Sequence, residues 1–290
     1  YAPSYRQLIT PYNVSLPKRE KTGNKYTFGH VAIIGGSVGK SGAVIMASRS
    51  ASVSGSGLTT AIVPKDINQT IETNLIEEMS IPVNCKNGTF SKESKDEILD
   101  ILNKGKFSSV VVGMGMSVNE DTVEVIKGIL TVEKPLVIDA DGINNLSKVE
   151  NFKDLLKQRA FPTVLTPHTG EFSRLTGLDT KTILENFESV ASEFSKESGS
   201  YLILKFSRMV VFTPDGKIYY CNKGNPGMAT AGTGDVLAGI VGALLNRLPV
   251  EDALKLSVLL HSIAGDLAAA EKGQESLKAT DLIENIPHAY

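Results

Sequence analysis

The residues best placed to do chemistry lie in Asn225-Pro226-Gly227-Met228-Ala229-Thr230-Ala231-Gly232-Thr233-Gly234-Asp235, which gives way to an apolar run from Val236 to Leu245. The abrupt change from small residues to a helical pattern puts Gly232-Thr233-Gly234-Asp235 on a helix N-terminus. Such an end carries unpaired N–H groups and about half a positive charge, which makes it a ready anion site. Glycines at 232 and 234 let a phosphate approach the backbone closely and permit positive φ. Asp235 is the residue that anion binding does not explain. A carboxylate aimed at a phosphate repels it, unless its task is to take a proton from the group attacking that phosphate. The stretch therefore reads as a phosphoryl-transfer site, with a glycine-rich turn and an N-capping Asp as the plainer alternative.

Three further clusters stand at expected strand ends, where open α/β sheets bind ligands. They are Gly113-Met114-Gly115-Met116-Ser117, Asp139-Ala140-Asp141-Gly142 and Thr166-Pro167-His168-Thr169-Gly170-Glu171. Asp139 and Asp141 read equally well as helix caps, His168 as an ordinary surface or core histidine, and Glu171 as a first-turn acid. Lys205, closing an apolar strand, must either snorkel out or meet an anion. Two glycine-rich segments are decoys. Ile34-Gly35-Gly36-Ser37-Val38-Gly39-Lys40-Ser41 resembles a phosphate-binding P-loop, but Ile34 stands where the first glycine of that motif belongs. It reads instead as a strand-to-helix turn where backbone meets substrate. Ser54-Gly55-Ser56-Gly57 runs from helix to strand, the wrong order for a dinucleotide fingerprint, and is a connector.

These groups need elements to hold them. Strand patterns occur at 30–34, 58–63, 80–83, 108–113, 135–140, 163–166 and 201–205, with helical patterns between most of them. That alternation predicts an α/β fold with a mostly parallel central sheet flanked by helices on both faces. A turn at Thr213-Pro214-Asp215-Gly216 predicts a short β-hairpin near 209–221. Helices are expected at about 232–247, 250–272 and 280–286. Residues 1–27, polar and proline-bearing, read as an N-terminal arm on the surface or on a neighbouring subunit, and 28–290 as a single catalytic domain.

Composition narrows the classes. The 290 residues carry a net charge of −2, so no basic face for nucleic acid or anionic membrane is expected. Cys85 and Cys221 lie far apart without metal-type spacing, which points to buried thiols in a reducing compartment. The histidines at 30, 168, 261 and 288 form no ligand cluster. With no run of about 18 apolar residues and no signal-peptide core, a soluble cytoplasmic protein is the expectation.

The combination of Asn225–Asp235 with Val236-Leu237-Ala238-Gly239, Leu165-Thr166-Pro167-His168-Thr169-Gly170-Glu171-Phe172, Asp139-Ala140-Asp141, the early Gly-Gly-Ser, His261-Ser262-Ile263-Ala264-Gly265-Asp266 and Ala279-Thr280-Asp281-Leu282-Ile283 resembles the NAD(P)H-hydrate dehydratase family of the ribokinase-like superfamily. The resemblance runs from about residue 18 to 287. Asn-Pro-Gly-Met-Ala-Thr is similar to the prokaryotic, ADP-using branch. In many members an epimerase for the hydrated cofactor is fused N-terminally; a catalytic domain without it is the expectation here.

The resemblance implies repair of NADH or NADPH hydrated at C6 of the nicotinamide ring. The C6 hydroxyl is phosphorylated from ADP, phosphate departs, and AMP, phosphate and NAD(P)H result. It makes Asp235 the base for the hydroxyl proton, with the amides of Gly232, Thr233 and Gly234 around the migrating phosphoryl group. At a helix N-terminus the Asp235 pKa is expected to be held low. Lys205, Phe206, Ser207, Arg208 and Met209, with Gly234, match the segment contacting the AMP portion. Ala43, Gly113, Gly115 and His168, with Asp235, match the hydrated-cofactor side. Phe206 stands where the family has glycine and Met209 where it has a hydroxyl, with Arg208 as a compensating phosphate or adenine contact. Mg²⁺ is implied as an ion carried with the nucleotide rather than in a protein-built site. A homo-oligomer, tetrameric by resemblance, is also implied. Other readings are a ribokinase-like small-molecule kinase of the hydroxyethylthiazole or hydroxymethylpyrimidine type, and a nucleotide-binding protein without turnover.

Overall fold

Alternate residues of the central strands enter different cores. Val31, Ile33, Val111, Val137 and Ile203 face one, while Ala32, Ile34, Val110, Val112, Leu136, Ile138, Leu202 and Leu204 face the other. Burial on both faces is what a helix-covered parallel sheet demands of its strands, and it explains their unbroken apolar runs.

The computed structural model describes residues 5–290; residues 1–4, the beginning of the expected arm, lie outside the described residues. The strands are β1 (Arg6–Ile9), β2 (His30–Ile34), β3 (Leu58–Pro64), β4 (Met79–Val83), β5 (Cys85–Lys86), β6 (Thr89–Phe90), β7 (Ser109–Val112), β8 (Leu136–Ile138), β9 (Thr163–Leu165), β10 (Tyr201–Lys205), β11 (Met209–Phe212) and β12 (Ile218–Cys221). Ten of them form one sheet in the order β1-β12-β11-β10-β9-β8-β7-β2-β3-β4, and β5 pairs with β6 alone. Pairing in the large sheet is parallel except for β10–β11 and β11–β12. The expected hairpin is β11–β12, its turn closed by Gly216 N donating to Thr213 O at 3.0 Å. Within the segment read as an arm, Arg6–Ile9 extends this sheet by pairing parallel to Ile218–Cys221. The small β5–β6 hairpin was not legible in the pattern.

The helices are α1 (Ser41–Val53), α2 (Asn68–Asn74), α3 (Ser94–Lys104), α4 (Glu120–Ile129), α5 (Asp141–Leu146), α6 (Phe152–Lys157), α7 (Thr169–Thr176), α8 (Thr180–Glu185), α9 (Phe187–Ser198), α10 (Thr233–Leu244), α11 (Val250–Lys272) and α12 (Ala279–Ala289). One sheet face is covered by α1, α10, α11 and α12, the other by helices from α3 to α9. Although no unbroken apolar run was read in the sequence, α11 is long and apolar enough to span a membrane by length and composition, with a mean hydropathy of 1.3 in its most apolar window. In the fold 67% of that window is buried, packed against α10 and α12, the burial of a core helix. Ser109 Oγ donates to Gly242 O at 2.8 Å, tying α10 to β7 and aiming its N-terminus at the C-terminal ends of the parallel strands.

Candidate active site

The first turn of α10 is built to leave its amides open. Gly232 precedes it at φ +93°, a conformation that L side chains avoid, and any β-carbon there would also strike Met46 of α1 at 2.4 Å. The first helical bond is Val236 N to Gly232 O, so the N–H groups of Thr233, Gly234 and Asp235 have no partner among the described residues. The Thr233 hydroxyl faces backwards instead, donating to the carbonyls of Met228 and Thr230, which pins the loop in front of the helix. The result is a cradle of backbone donors with a carboxylate one residue inside it.

Lys205 closes that cradle. Its Nζ donates to Asp139 Oδ1 at 2.7 Å, and Thr166 Oγ1 donates to the same oxygen at 2.6 Å. Asp139 is buried at the end of β8. Ala140, at φ +50°, then turns the chain so that Asp141 faces the other way, accepting from Ser117 N at 2.9 Å and Lys40 Nζ at 3.1 Å. Neither acid is a helix cap in the ordinary sense. Asp139 neutralises Lys205, and Asp141 holds the β7–α4 loop.

Asp235 contradicts the expectation of a low pKa. Burial raises it from 3.8 to about 7, and the negative charge of Asp139 adds to the rise; Lys205 works against it, while Asp141 and Glu171 reinforce it. The partial charge of a helix end is too weak to offset removal from water beside other carboxylates. Asp235 is thereby a far better proton acceptor than an exposed aspartate.

His168 is the N-cap of α7. Its Nδ1 accepts from Gly170 N at 3.0 Å and Glu171 N at 3.4 Å, while Glu171 Oε2 accepts from His168 N at 2.9 Å. This is a reciprocal capping box with histidine in the usual Ser/Thr position. Burial, then the nearby charges of Lys205 and Arg174, lowers the His168 pKa, so the ring is neutral with its proton on Nε2. Glu171 is buried and its pKa is raised to about 7, chiefly by that burial.

Two cavities meet at the cradle. One of about 320 Å³ has Asp139, His168, Glu171, Lys205 and Asp235 in its walls. The other, of about 540 Å³, takes in Lys205–Met209, Lys223–Pro226, Met228, Leu237 and His261. Lys205, Thr233 and Gly234 belong to both. The 205–209 segment therefore lines the larger cavity, and of its residues only Lys205 also lines the smaller one with Glu171. Phe206 stands edge-on to Phe187 with centroids 5.3 Å apart, so its ring forms a wall there, and Met209 is buried. Arg208 is tied to Asn222 O. Ala43, Gly113 and Gly115 do not line either cavity. Gly115 packs beside Ala43 and Lys40, and Gly113 against the Asp139 and Gly142 backbone, forming a shelf next to the Asp139–Asp141 turn.

The residues that hold the larger cavity together have roles that their sequence context does not reveal. Asp266 accepts from Gly224 N and from Asn225 Nδ2, each at 3.0 Å, and Asn225 Oδ1 accepts from Gly227 N at 3.1 Å. His261 Nε2 donates to Thr233 O at 2.8 Å; burial pushes its pKa down to about 4 and keeps the ring neutral. These contacts clamp the Asn-Pro-Gly-Met loop and the cradle onto α11. The signal was the occurrence of His261 and Asp266 within the largely apolar middle of α11. Cys221 is buried as expected, whereas Cys85 is only half-buried; both are free thiols. Among the described residues no group of three His, Cys, Asp or Glu side chains is placed to hold a metal ion.

A mixed sheet carrying an amide cradle and an acid at the start of α10 defines a ribokinase-like protein. A family model for NAD(P)H-hydrate dehydratase matches residues 31–288, and the chain belongs to that family. The ADP-dependent (S)-NAD(P)H-hydrate dehydratase of Neisseria meningitidis is 32% identical over 258 residues, 88% of this chain and 82% of that protein. A bifunctional NAD(P)H-hydrate repair enzyme of Moorella thermoacetica is 38% identical over 277 residues, 94% of this chain but 51% of that protein. The chain thus spans about half the length of the bifunctional relatives it matches. The ADP/ATP-dependent NAD(P)H-hydrate dehydratase of Bacillus subtilis, co-crystallised with ATP and Mg²⁺, superposes with a TM-score of 0.86 at 25% identity, covering 98% of this chain and 97% of that one.

Proposed function

We propose that this chain dehydrates (6S)-NAD(P)H hydrate to NAD(P)H, coupled to conversion of ADP to AMP and phosphate. The observation that carries the reading is that the α10 amide cradle and Lys205 border both cavities at once. ADP in the larger cavity would present its terminal phosphoryl group to the cradle; the hydrated nicotinamide in the smaller one would present its C6 hydroxyl to Asp235. Hydroxide is a poor leaving group and phosphate a good one, so phosphorylation precedes elimination. The transfer passes through a loose transition state, in which alignment and charge stabilisation outweigh early deprotonation. The open amides of α10 supply the stabilisation, and the raised pKa of Asp235 suits it to take the hydroxyl proton.

Among the described residues no side-chain group offers a cage for Mg²⁺, so the ion belongs to this reading as a companion of the nucleotide phosphates. The free thiols fit a reducing compartment. A homo-oligomeric state is part of the same reading, and light scattering tests it.

The deciding experiment incubates the chain with hydrated NADH and either ADP or ATP. Absorbance at the reduced-nicotinamide band and free phosphate should rise together. Phosphate retained on the organic product would make the protein a small-molecule kinase. Stabilisation by nucleotide with no hydrate consumed would make it a binding protein.

A further inference from the structure

The reaction proposed above strips two protons from its substrate, and Asp235 accounts for one. The hydroxyl proton leaves when the phosphoryl group arrives. The hydrogen on C5 must also leave as a proton before the C5=C6 double bond exists, so a second acceptor is needed on the substrate side of the cradle.

The walls of the smaller cavity limit the choice. Asp139 is 1% exposed and committed to its ion pair with Lys205, whose ammonium shares Oδ1 with the Thr166 hydroxyl. Lys205 is held as an ammonium by Asp139 and Glu171 despite its burial. His168 Nδ1 is occupied by two backbone N–H groups and its Nε2 carries the ring proton, so the imidazole has no free acceptor. Glu171 remains. It is 5% exposed; His168 N donates to its Oε2, while Oε1, 3.3 Å from His168 Nε2, accepts no hydrogen bond among the described residues.

We propose that Glu171 is the base that removes the C5 proton in the elimination step; the inference rests on the hydrate-dehydratase reading. In the first step the C6 oxygen bonds to the terminal phosphorus of ADP, the bridging P–O bond breaks, AMP departs, and the hydroxyl proton passes to Asp235. In the second step the C6–O bond breaks with assistance from the N1 lone pair. The C5–H bond gives its proton to Glu171 and its electron pair to the new C5=C6 bond, restoring the lone pair to N1. Protonated Asp235 returns its proton to the departing phosphate, which leaves as the monohydrogen dianion, and Glu171 releases its proton to water. The net change is one hydrate and one ADP to one NAD(P)H, AMP, phosphate and proton.

The raised pKa of Glu171 supports the assignment, because a carboxylate held near 7 is a stronger base than an exposed one. Its capping role can be separated from the chemistry. Glutamine also closes a capping box, so Glu171→Gln keeps the helix cap and removes the base.

The test is a single turnover with excess enzyme, ADP and the hydrate, with and without deuterium at C5, following AMP, phosphate ester by phosphorus NMR, and NADH. Glu171→Gln should accumulate the C6 phosphate ester. Its NADH release should slow roughly 10²- to 10⁴-fold, far more than AMP formation, with an enlarged deuterium effect. NADH release that keeps pace with AMP formation in this variant overturns the inference and leaves the reading intact. A wild-type chain forming neither AMP nor NADH from the hydrate overturns the reading itself. Should the glutamine variant lose the ADP-induced thermal shift, Glu171→Asp carries the test: selective slowing of NADH release supports the role, and unaltered partitioning between ester and NADH ends it.

Discussion

Lys205 Nζ lies 2.7 Å from Asp139 Oδ1 and 3.1 Å from where a β-carbon on Gly234 would stand, so the buried ion pair and the open backbone of the cradle occupy one space. Gly234→Ala presses on the mobile end of a lysine rather than on backbone. It should cost under about 1 kcal/mol of stability while displacing the ammonium and lowering turnover about tenfold to a hundredfold. Denaturant melts alongside steady-state rates check the split; a variant with unaltered turnover would mean that the ammonium position is immaterial.

Lys205→Met should be much more damaging, because it leaves the buried Asp139 carboxylate without its cation. Losing one partner of such a pair costs roughly 3–5 kcal/mol. Lys205→Met with Asp139→Asn should recover most of that stability without recovering activity. Equilibrium unfolding of the two singles and the double gives the coupling energy directly, and additive losses would show that the pair is not the source.

Asp235→Asn should stabilise the fold while abolishing most turnover and keeping nucleotide binding. The Asp235 pKa is raised from 3.8 unfolded to about 7 folded, so the folded state binds the extra proton between those values. The contribution of Asp235 to stability is therefore full below pH 3.8, declines as pH rises towards about 7, and is lost above it. The asparagine variant escapes that loss. Its advantage should be roughly 1–4 kcal/mol at alkaline pH and vanish in acid. Thermal melts across pH test this; an advantage independent of pH would refute the ionisation origin.

The pH dependence of kcat/KM should fall on the acid side with a midpoint near 7, because the role proposed for Asp235 requires it ionised. If Glu171 is also required as a base, the limiting slope of log kcat/KM in acid is two rather than one. A profile flat to about pH 5, where an ordinary carboxylate is still ionised, would contradict the raised values.

Asp266→Ala should act on ADP rather than on the hydrate. It removes the acceptor for Gly224 N and Asn225 Nδ2, loosening the loop that walls the larger cavity. We expect KM for ADP to rise on the order of tenfold with a smaller change in kcat, and about 1–2 kcal/mol of stability lost with the bonds. An ADP-induced thermal shift equal to that of the wild type would show that the clamp is not needed.

What the sequence determined by itself was local. Gly232 and Gly234 before an apolar run announce a helix with open amides, because backbone conformation and capping depend on neighbours a few residues away. The apolar strand patterns announce a sheet buried on both faces for the same reason, and Lys205 stood out because a lysine ending such a strand needs a partner. Tertiary structure decided the chemistry. Asp235 shares a wall with Asp139 and Glu171, although nearly a hundred residues separate it from the first and more than sixty from the second. Burial beside those acids, set by the order of β8, β9 and β10, outweighs the helix end that the local sequence advertised. Likewise Asp266 on α11 reaches the Asn225 loop, and His261 reaches Thr233, only because two helices pack together. Turns and caps are decided by neighbouring residues; a pKa is decided by every charge and every missing water around the group, and those come from the whole chain.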